Sequence, residues 1–159
     1  MINLKNYEIR RTDRALTEEA AVEILRKGSF GILSTIGADG YPYGVPVNYV
    51  YDNGRIYFHC AKNTGHKQEN LRFSGRVSFT VITKSEVIPE KFTTAYESTV
   101  AFGTASKIVF DKEKALRLLV KKYSPQFIDE GESCIKDYFE RTDVFMLEIE
   151  RLTAKANRK

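Results

Sequence analysis

The chain has 159 residues, of which 42% are hydrophobic and 29% are charged, a balance typical of a globular domain that buries a sizeable core. Its formal net charge of +4 comes from 25 basic and 21 acidic residues spread along the chain, without the concentrated basic face or module of a nucleic-acid-binding protein. Since no apolar run approaches the roughly 20 residues that cross a bilayer and the first residues lack the apolar core of a secretion signal, we expect one cytoplasmic domain over residues 1–159, with no nucleic-acid or membrane partner.

The first predicted element is a helix that completes an N-terminal segment of residues 1–28. Thr17 can cap the start of this helix, and Glu18 and Glu19 suit the positive end of its dipole. Arg26 and Lys27 suit the negative end of the dipole, and Gly28 after them predicts the end of the helix.

Strand signals then dominate and predict an antiparallel barrel over residues 29–109 and 143–150. Two turn sequences, Asp39-Gly40 and Asp52-Asn53-Gly54, favour hairpins. The strand near residue 103 is long enough to require a bend at Gly103. The six predicted strands are residues 30–36, 43–52, 55–61, 76–83, 94–109 and 144–150.

A helical insert is predicted over residues 111–139. Asp111 is expected to cap a helix whose apolar residues, Leu116 and Leu119 among them, recur at helical spacing. Ser124 and Pro125 end that helix, and a shorter helical piece follows. Six strands with peripheral helices indicate a mainly β protein built on an antiparallel barrel.

The stretch IYFHCAKNTGHKQENL, residues 56–71, is the strongest candidate for a functional site, because it holds both histidines and one of the two cysteines. His59 and Cys60 are adjacent on a strand, so their side chains point to opposite faces. They do not readily share one ion, and two imidazoles fall short of a zinc ligand set. No metal site is predicted.

Cys60 is predicted to be a structural thiol. It shares a strand face with Ile56 and Phe58, which favours burial. A catalytic cysteine–histidine pair would need spatial contact and a third, orienting group. We expect Cys60 and Cys134 to be reduced, since a chain of this size folds without a disulfide.

A phosphate site is the third possibility for this stretch. Gly65 precedes a predicted helix whose first N–H groups are unpaired and whose dipole is positive at that end. Lys67 adds a full charge in the first turn, where a cation is unfavourable unless an anion is near. Lys67 therefore either faces an anion or points to water.

The motifs resemble those of a known family. Residues 34–81 (STIGADGYPYGVPVNYVYDNGRIYFHCAKNTGHKQENLRFSGRVSFTV) and 90–106 (EKFTTAYESTVAFGTAS), together with RRTDRALT at 10–17, resemble the pyridoxamine 5′-phosphate oxidase-like FMN-binding split barrels. The nearest branch is that of the nitroimidazole-resistance proteins. The resemblance covers roughly residues 10 to 150 and implies a six-stranded antiparallel split β-barrel, usually a homodimer with FMN at the subunit interface.

The resemblance also implies which residues bind the cofactor. The flavin phosphate is expected at a strand end and the following helix start, which correspond to His59, Cys60, Ala61, His66 and Lys67. The ring and ribityl chain are expected along a strand, largely through backbone groups, at Val45, Pro46, Val47, Asn48 and Tyr49. A partner subunit is expected to contribute Tyr96, Glu97 and Ser98. Tyr49 and Tyr96 are the tyrosines expected to touch the ring, whereas Tyr43 is expected to be exposed.

The implied activity is FMN-dependent reduction of small compounds such as nitroaromatics, with a nicotinamide donor. His59 matches a histidine discussed as catalytic in the nitroimidazole-resistance branch, although a role in orienting the loop fits it equally. Two departures argue against vitamin B6 oxidation. Val45 stands where the oxidase has a phosphate-binding arginine, and no histidine follows His66.

Two other functions stay open at this point. Related split barrels bind or degrade haem, in which case His59 or His66 would be the axial ligand. A non-enzymatic flavin-binding protein is equally compatible with a site built from backbone groups.

Overall fold

The N-terminal helix begins and ends as predicted. The computed structural model describes residues 8–158, and helix α1 spans Glu18–Lys27. The Thr17 hydroxyl accepts a hydrogen bond from the Ala20 N–H at 3.3 Å, and Gly28 follows the last turn.

Seven strands, rather than the predicted six, form one antiparallel sheet within residues 8–158. The predicted strand 43–52 is in fact two strands, because the chain leaves one neighbour and joins another at Asn48. The strands are β1 (Gly31–Ile36), β2 (Pro42–Val47), β3 (Tyr49–Asp52), β4 (Arg55–Ala61), β5 (Arg76–Ile88), β6 (Thr93–Ile108) and β7 (Thr142–Asn157).

The sheet order explains the split in the barrel. The strands follow one another as β2-β1-β5-β6-β7-β4-β3, so the two edge strands, β2 and β3, are consecutive in the chain. A single residue, Asn48, joins them, and therefore the curled sheet brings its two edges together at Asn48 without a ladder between them. The predicted split-barrel class is confirmed, with one more strand than expected.

β6 bends where the sequence predicts it. The register between β6 and β7 shifts between Phe102 and Gly103. A Cβ atom on Gly103 would collide with the Glu148 carbonyl, so only glycine allows this approach. β7 is longer than the predicted strand 144–150. Its second half contains the buried Ala154 and Ala156, whose small side chains give only a weak apolar signal in the sequence.

Three further helices surround the barrel: α2 (His66–Phe73), α3 (Lys112–Tyr123) and α4 (Ile128–Tyr138). The helical insert is therefore confirmed, with Ser124 ending α3. The capping role of Asp111 is wrong. Asp111 adopts a left-handed conformation with φ of 64°, and its side chain makes no capping hydrogen bond. None of the described helices is long and apolar enough to cross a membrane.

Two apolar clusters position the site. The first fills the barrel and includes the fully buried Phe58 and Phe79. The second lies outside the sheet, where Tyr57 of β4 and Val144 of β7 pack under Leu119 of α3 and its neighbours. The helical insert therefore covers the outer face of β4, next to the predicted site.

Candidate functional site

β4 sends His59 and Cys60 to opposite faces, as the strand period predicts. Cys60 packs against the cluster inside the barrel, whereas His59 faces outward, toward α3 and α4. The two side chains therefore do not form a catalytic pair. Within residues 8–158, no three His, Cys, Asp or Glu residues lie together as a metal site would require.

Cys60 is a half-buried thiol rather than a fully buried one. Its Sγ accepts a hydrogen bond from Gln68 Nε2 at 3.3 Å. Burial raises the pKa of the Cys60 thiol, and the nearby Lys67 charge offsets only part of that rise. Cys60 is therefore a neutral thiol at pH 7, and both it and Cys134 are free of disulfides.

His59 is neutral at pH 7 and has hydrogen-bonding capacity to spare. More than a third of the residue is exposed, yet the surrounding protein removes enough water to lower the pKa of its imidazole, and the positive charge of Lys67 lowers that pKa further. In the part of the chain that the structure describes, no group bonds to the imidazole. His59 can therefore donate to or accept from a ligand.

The start of α2 is a candidate anion site. Gly65 occupies the N-cap with a φ of 91°, a conformation that favours glycine, and no side chain caps the helix. Lys67 is half-buried, its Nζ lies 5.9 Å from the centre of the Phe58 ring, and no carboxylate in residues 8–158 pairs with it. An unpaired cation and uncapped N–H groups thus both belong to the first turn of α2, and each of them favours an anion.

A buried network holds the loop before α2 in position. The Asp143 carboxylate, 3% exposed, pairs with Lys107 Nζ at 2.7 Å and accepts from the Asn63 N–H at 3.0 Å. Gln68 Nε2 also donates to the Ala61 carbonyl at 2.5 Å. Burial acts to raise the pKa of Asp143, but the bonds from Lys107 and Asn63 outweigh it and the net pKa is lowered.

Tyr43 of β2 contacts the first turn of α2. Its ring lies 4.1 Å from the His66 ring, centre to centre, with 33° between the planes. The expectation that Tyr43 is exposed is wrong, because β2 runs beside the first turn of α2 and the side chain is half-buried there. Gln68 and Asp143 carry no sequence signal for a role here, because Gln68 bonds across the loop to Ala61 and Asp143 bonds to Asn63, 80 positions away.

The predicted ring-binding strand is mostly available at its backbone. β2 pairs with β1 on one side, and its other side is a free edge of the sheet. Pro46 and Asn48 are exposed, whereas Val45 is half-buried and Val47 is 8% exposed. The unpaired edge of β2 leaves its outward-facing backbone groups without a strand partner within residues 8–158, and the predicted contact of this strand with a flavin ring stays a prediction.

Tyr49 does not fit the prediction that its side chain touches the flavin ring. Its ring is fully buried and its hydroxyl donates to the Leu25 carbonyl at 2.5 Å. Its backbone N–H and C=O both bond to the Tyr123 hydroxyl, at 2.8 and 2.9 Å. Tyr49 therefore has neither a ring face nor a backbone group open to a flavin in this chain.

The three β6 residues lie far from His59 within one chain. The ladders join His59 to Val144 and Val144 to Ile108, and Ser98 lies ten residues earlier on β6, about 33 Å along the strand. Glu97 pairs with Arg158 at 3.4 Å. Tyr96 and Ser98 line a separate cavity with Arg10, Arg11 and Lys155. Their contribution to a partner's site stays a prediction.

A groove opens beside His59, between the barrel and the helical insert. Its volume is about 240 Å³. We call it the insert groove. It is lined by Asn48, His59, Leu116, Leu119, Val120, Tyr123, Ser124, Gly131, Cys134, Ile135 and Tyr138.

Comparison with known proteins identifies the family. The sequence model of the pyridoxamine 5′-phosphate oxidase family matches residues 17–156, which is most of the chain and includes β1–β7 almost completely. None of the curated protein sequences matches this chain significantly.

Solved structures share the fold at low sequence identity. A "putative 5-nitroimidazole antibiotic resistance protein" from Bacteroides thetaiotaomicron has a TM-score of 0.71 at 20% identity, over 89% of this chain and 86% of its own. The flavocytochrome Anf3 from Azotobacter vinelandii has a TM-score of 0.83 at 19% identity, over 99% and 75%. The FAD and haem binding protein from Mycobacterium smegmatis has a TM-score of 0.78 at 17% identity, over 90% and 72%.

Proposed function

The chain belongs to the pyridoxamine 5′-phosphate oxidase family, and we propose that it is a flavoprotein that binds FMN and reduces small compounds, nitroaromatics among them, with a nicotinamide donor. We propose further that it acts as a homodimer. The observation that carries the proposal is the unpaired, half-buried Lys67 at the uncapped start of α2.

The residues at α2 fit a phosphomonoester. Such a group carries about −1.5 to −2 charges near pH 7. Lys67 and the dipole of α2 supply positive potential, and the open N-cap at Gly65 lets the anion approach the backbone. The network of Asp143 and Gln68 fixes the preceding loop, so little ordering remains for the ligand to impose.

The free edge of β2 fits the remainder of FMN. Tyr43, whose ring contacts the His66 ring at a tilt of 33°, lies between the proposed phosphate position and this edge. Exposed backbone groups near Pro46 and Asn48 can bond to polar atoms of a ring system. The neutral His59 lines the same groove as Asn48. When bound, the flavin supplies the hydride or electron transfer, while the protein supplies binding and orientation.

The site differs from that of a vitamin B6 oxidase in charge. Val45 packs half-buried against the barrel interior, so β2 contributes no cation to the phosphate. Lys67 and the helix start then hold the phosphate together with His66. We therefore expect weaker FMN binding than in a site with an additional arginine at the position of Val45.

Haem binding is the second candidate, because His59 is an unpartnered imidazole. A protein of this fold from Mycobacterium smegmatis is described as binding FAD and haem. An axial ligand needs a free imidazole nitrogen, which His59 offers. The insert groove, at about 240 Å³, would have to open to admit a porphyrin, so flavin remains our first proposal.

The test begins with the visible absorption spectrum of purified protein, before and after addition of FMN. A flavin spectrum with two bands and a saturable titration are expected, with turnover on addition of NADH or NADPH and 4-nitrobenzyl alcohol. A Soret band would favour haem, and flavin binding without turnover would favour a non-enzymatic protein.

The decisive variant is Lys67→Ala, matched with Lys27→Ala at the exposed end of α1. Both variants remove one positive charge, but only the first removes it from the proposed phosphate site. We expect FMN affinity to fall at least tenfold in Lys67→Ala and to stay within twofold in Lys27→Ala. Equal affinities in the two variants would contradict the phosphate assignment.

A further inference from the structure

The insert groove has one apolar wall and one mixed wall. α3 and α4 supply aliphatic and aromatic side chains, chiefly Leu116, Leu119 and Ile135. The barrel supplies Asn48, at the junction of β2 and β3, and His59, at the end of β4. The groove therefore adjoins both parts of the proposed flavin site, the free edge of β2 and the strand end before α2.

The helical wall is preformed. A Cβ atom on Gly131 would collide with Val120 Cγ1, so α4 packs closely on α3. Arg117 of α3 donates two hydrogen bonds, of 2.7 and 3.0 Å, to the Glu132 carboxylate of α4. This pair joins the same two helices. The hydroxyl of Tyr123 in turn bonds to the chain at Tyr49. A groove held at several points binds without a large ordering cost.

The groove carries no full charge. None of its lining residues is a lysine, arginine, aspartate or glutamate, and His59 is neutral at pH 7 for the reasons given above. Although the charge of Lys67 is felt at His59, a charged ligand in the groove would lose water without an opposite charge among the lining residues. The lining therefore favours neutral compounds.

Two unpartnered polar groups line the groove from the barrel side. Neither the Asn48 amide nor the His59 imidazole has a hydrogen-bond partner within residues 8–158. The Asn48 NH₂ donates, and the neutral His59 can donate through one nitrogen. Two donors on the barrel wall of a largely apolar groove suit an acceptor such as a nitro group or a quinone carbonyl.

The volume limits the ligand further. Pockets for drug-sized ligands measure about 300–1,000 Å³, and the insert groove measures about 240 Å³. It therefore has room for one or two aromatic rings rather than a larger ligand.

We propose that the insert groove is the substrate-binding site and that it selects neutral, planar compounds of one or two rings with a hydrogen-bond acceptor at the end nearest Asn48 and His59. This inference rests on the proposed function for the reduction itself. The groove's binding selectivity is a separate property, which flavin-free protein would also show.

The test compares 4-nitrobenzyl alcohol with 4-nitrobenzoate, two probes of similar shape that differ in charge at pH 7. Equilibrium dialysis measures both, with and without FMN. We expect the alcohol to bind at least tenfold more tightly than the carboxylate in either state. Equal binding of the two probes, or binding of neither, would overturn the proposal.

Variants on α4 locate the binding. Cys134 is exposed and lines the groove, whereas the neighbouring Ser133 is exposed and lies outside it. We expect Cys134→Phe to lower the affinity for the alcohol at least tenfold and Ser133→Phe to change that affinity by less than twofold. The affinity for FMN should be unchanged in both variants. Unchanged binding of the alcohol in Cys134→Phe would overturn the proposal.

A charge substitution gives an independent readout if the phenylalanine variant fails to fold. Cys134→Lys places a cation in the groove, so 4-nitrobenzoate should bind at least fivefold more tightly than in wild type, while Ser133→Lys should change nothing. No gain for the carboxylate would contradict the proposal.

Two results would assign the groove to another occupant and overturn the inference. Loss of FMN binding in Cys134→Phe would place the flavin ring itself in the groove. Loss of the dimer in Cys134→Phe, measured by sedimentation, would make the groove a contact between two copies of the chain. Absence of flavin binding in wild type, with selective binding of the alcohol intact, would instead contradict only the proposed function.

Discussion

The hydroxyl of Tyr123 bonds to both backbone groups of Tyr49, accepting from its N–H at 2.8 Å and lying 2.9 Å from its carbonyl oxygen. The two residues are 74 positions apart in the chain. Tyr49 is the first residue of β3, immediately after the junction at Asn48, and Tyr123 is the last residue of α3. This contact fastens the helical insert to the barrel where the sheet is split.

Tyr123→Phe should destabilise the protein without changing its fold. The variant keeps the ring but leaves the Tyr49 N–H without its hydrogen-bond acceptor, and an unsatisfied buried group costs about 1–3 kcal/mol. Urea unfolding should show a lower midpoint with an unchanged m-value. Tyr41→Phe, at a tyrosine that is 73% exposed, is the control and should change stability little. A Tyr123→Phe protein as stable as this control would show that water replaces the hydroxyl.

The pKa of the His59 imidazole should lie below its ordinary value. Loss of surrounding water and the charge of Lys67 lower the pKa of His59, so its imidazole should protonate at a lower pH than 6.5 in an NMR titration. In Lys67→Ala the pKa of His59 should rise only partway, because burial is the larger cause. A complete return to 6.5 in that variant would show that charge, rather than burial, controls this imidazole.

The sequence predicted those features that depend on neighbouring residues. Thr17, Gly28 and the two hairpin turns act within a few positions, and their roles were readable from residue type alone. The opposite faces of His59 and Cys60 follow from the strand period. The open helix start at Gly65 and Lys67 was likewise visible, because capping is a local property.

Features that depend on distant segments were not predictable in this way. The strand 43–52 reads as one continuous run, and only the pairing of its halves with β1 and β4 reveals the break at Asn48. The sequence around Tyr49 does not indicate that its ring is buried or that the Tyr123 hydroxyl bonds to its backbone N–H and C=O groups. The insert groove needs α3, α4 and the barrel together, and no local pattern specifies that packing.

Asp143→Asn should loosen the loop before α2. The substitution removes the ion pair with Lys107 and weakens the bond to the Asn63 N–H. We expect a loss of about 1–3 kcal/mol in the free energy of unfolding, together with weaker FMN binding, since the loop leads into the anion site. If Asp143→Asn bound FMN with wild-type affinity, the network around Asp143 would not contribute to cofactor binding.

The contribution of Asp143 should depend on pH in one direction. The folded state lowers the pKa of Asp143 below its ordinary value of 3.8, so the unfolded chain takes up the proton first as the pH falls. The stabilisation is therefore complete above about pH 5 and is lost below it, through the lowered pKa. The difference in unfolding free energy between wild type and Asp143→Asn should shrink across this acid range.

Lys122→Met should stabilise the protein at pH 7. The Lys122 ammonium is buried without a hydrogen-bond partner in the described structure, and it lies 3.7 Å from the centre of the Tyr49 ring. Burying an unpaired polar group costs about 1–3 kcal/mol, and a cation–π contact returns about 0.5–2 kcal/mol. Replacement by methionine should therefore raise the unfolding free energy by about 1 kcal/mol, whereas Lys121→Met, at the exposed neighbour, should change it little.

Alkaline pH supplies the check on Lys122. Burial lowers the pKa of Lys122 to about 8 from an ordinary 10.5, so between these values the unfolded chain holds a proton that the folded protein has released. Wild-type stability should consequently gain from this residue as the pH rises from about 8 to 10.5, and the advantage of Lys122→Met should narrow over that range. Urea unfolding of both proteins at pH 7 and pH 9.5 measures the gap. A gap of the same size at both values would mean that the ammonium stays protonated and that the Tyr49 ring stabilises its charge in the folded state.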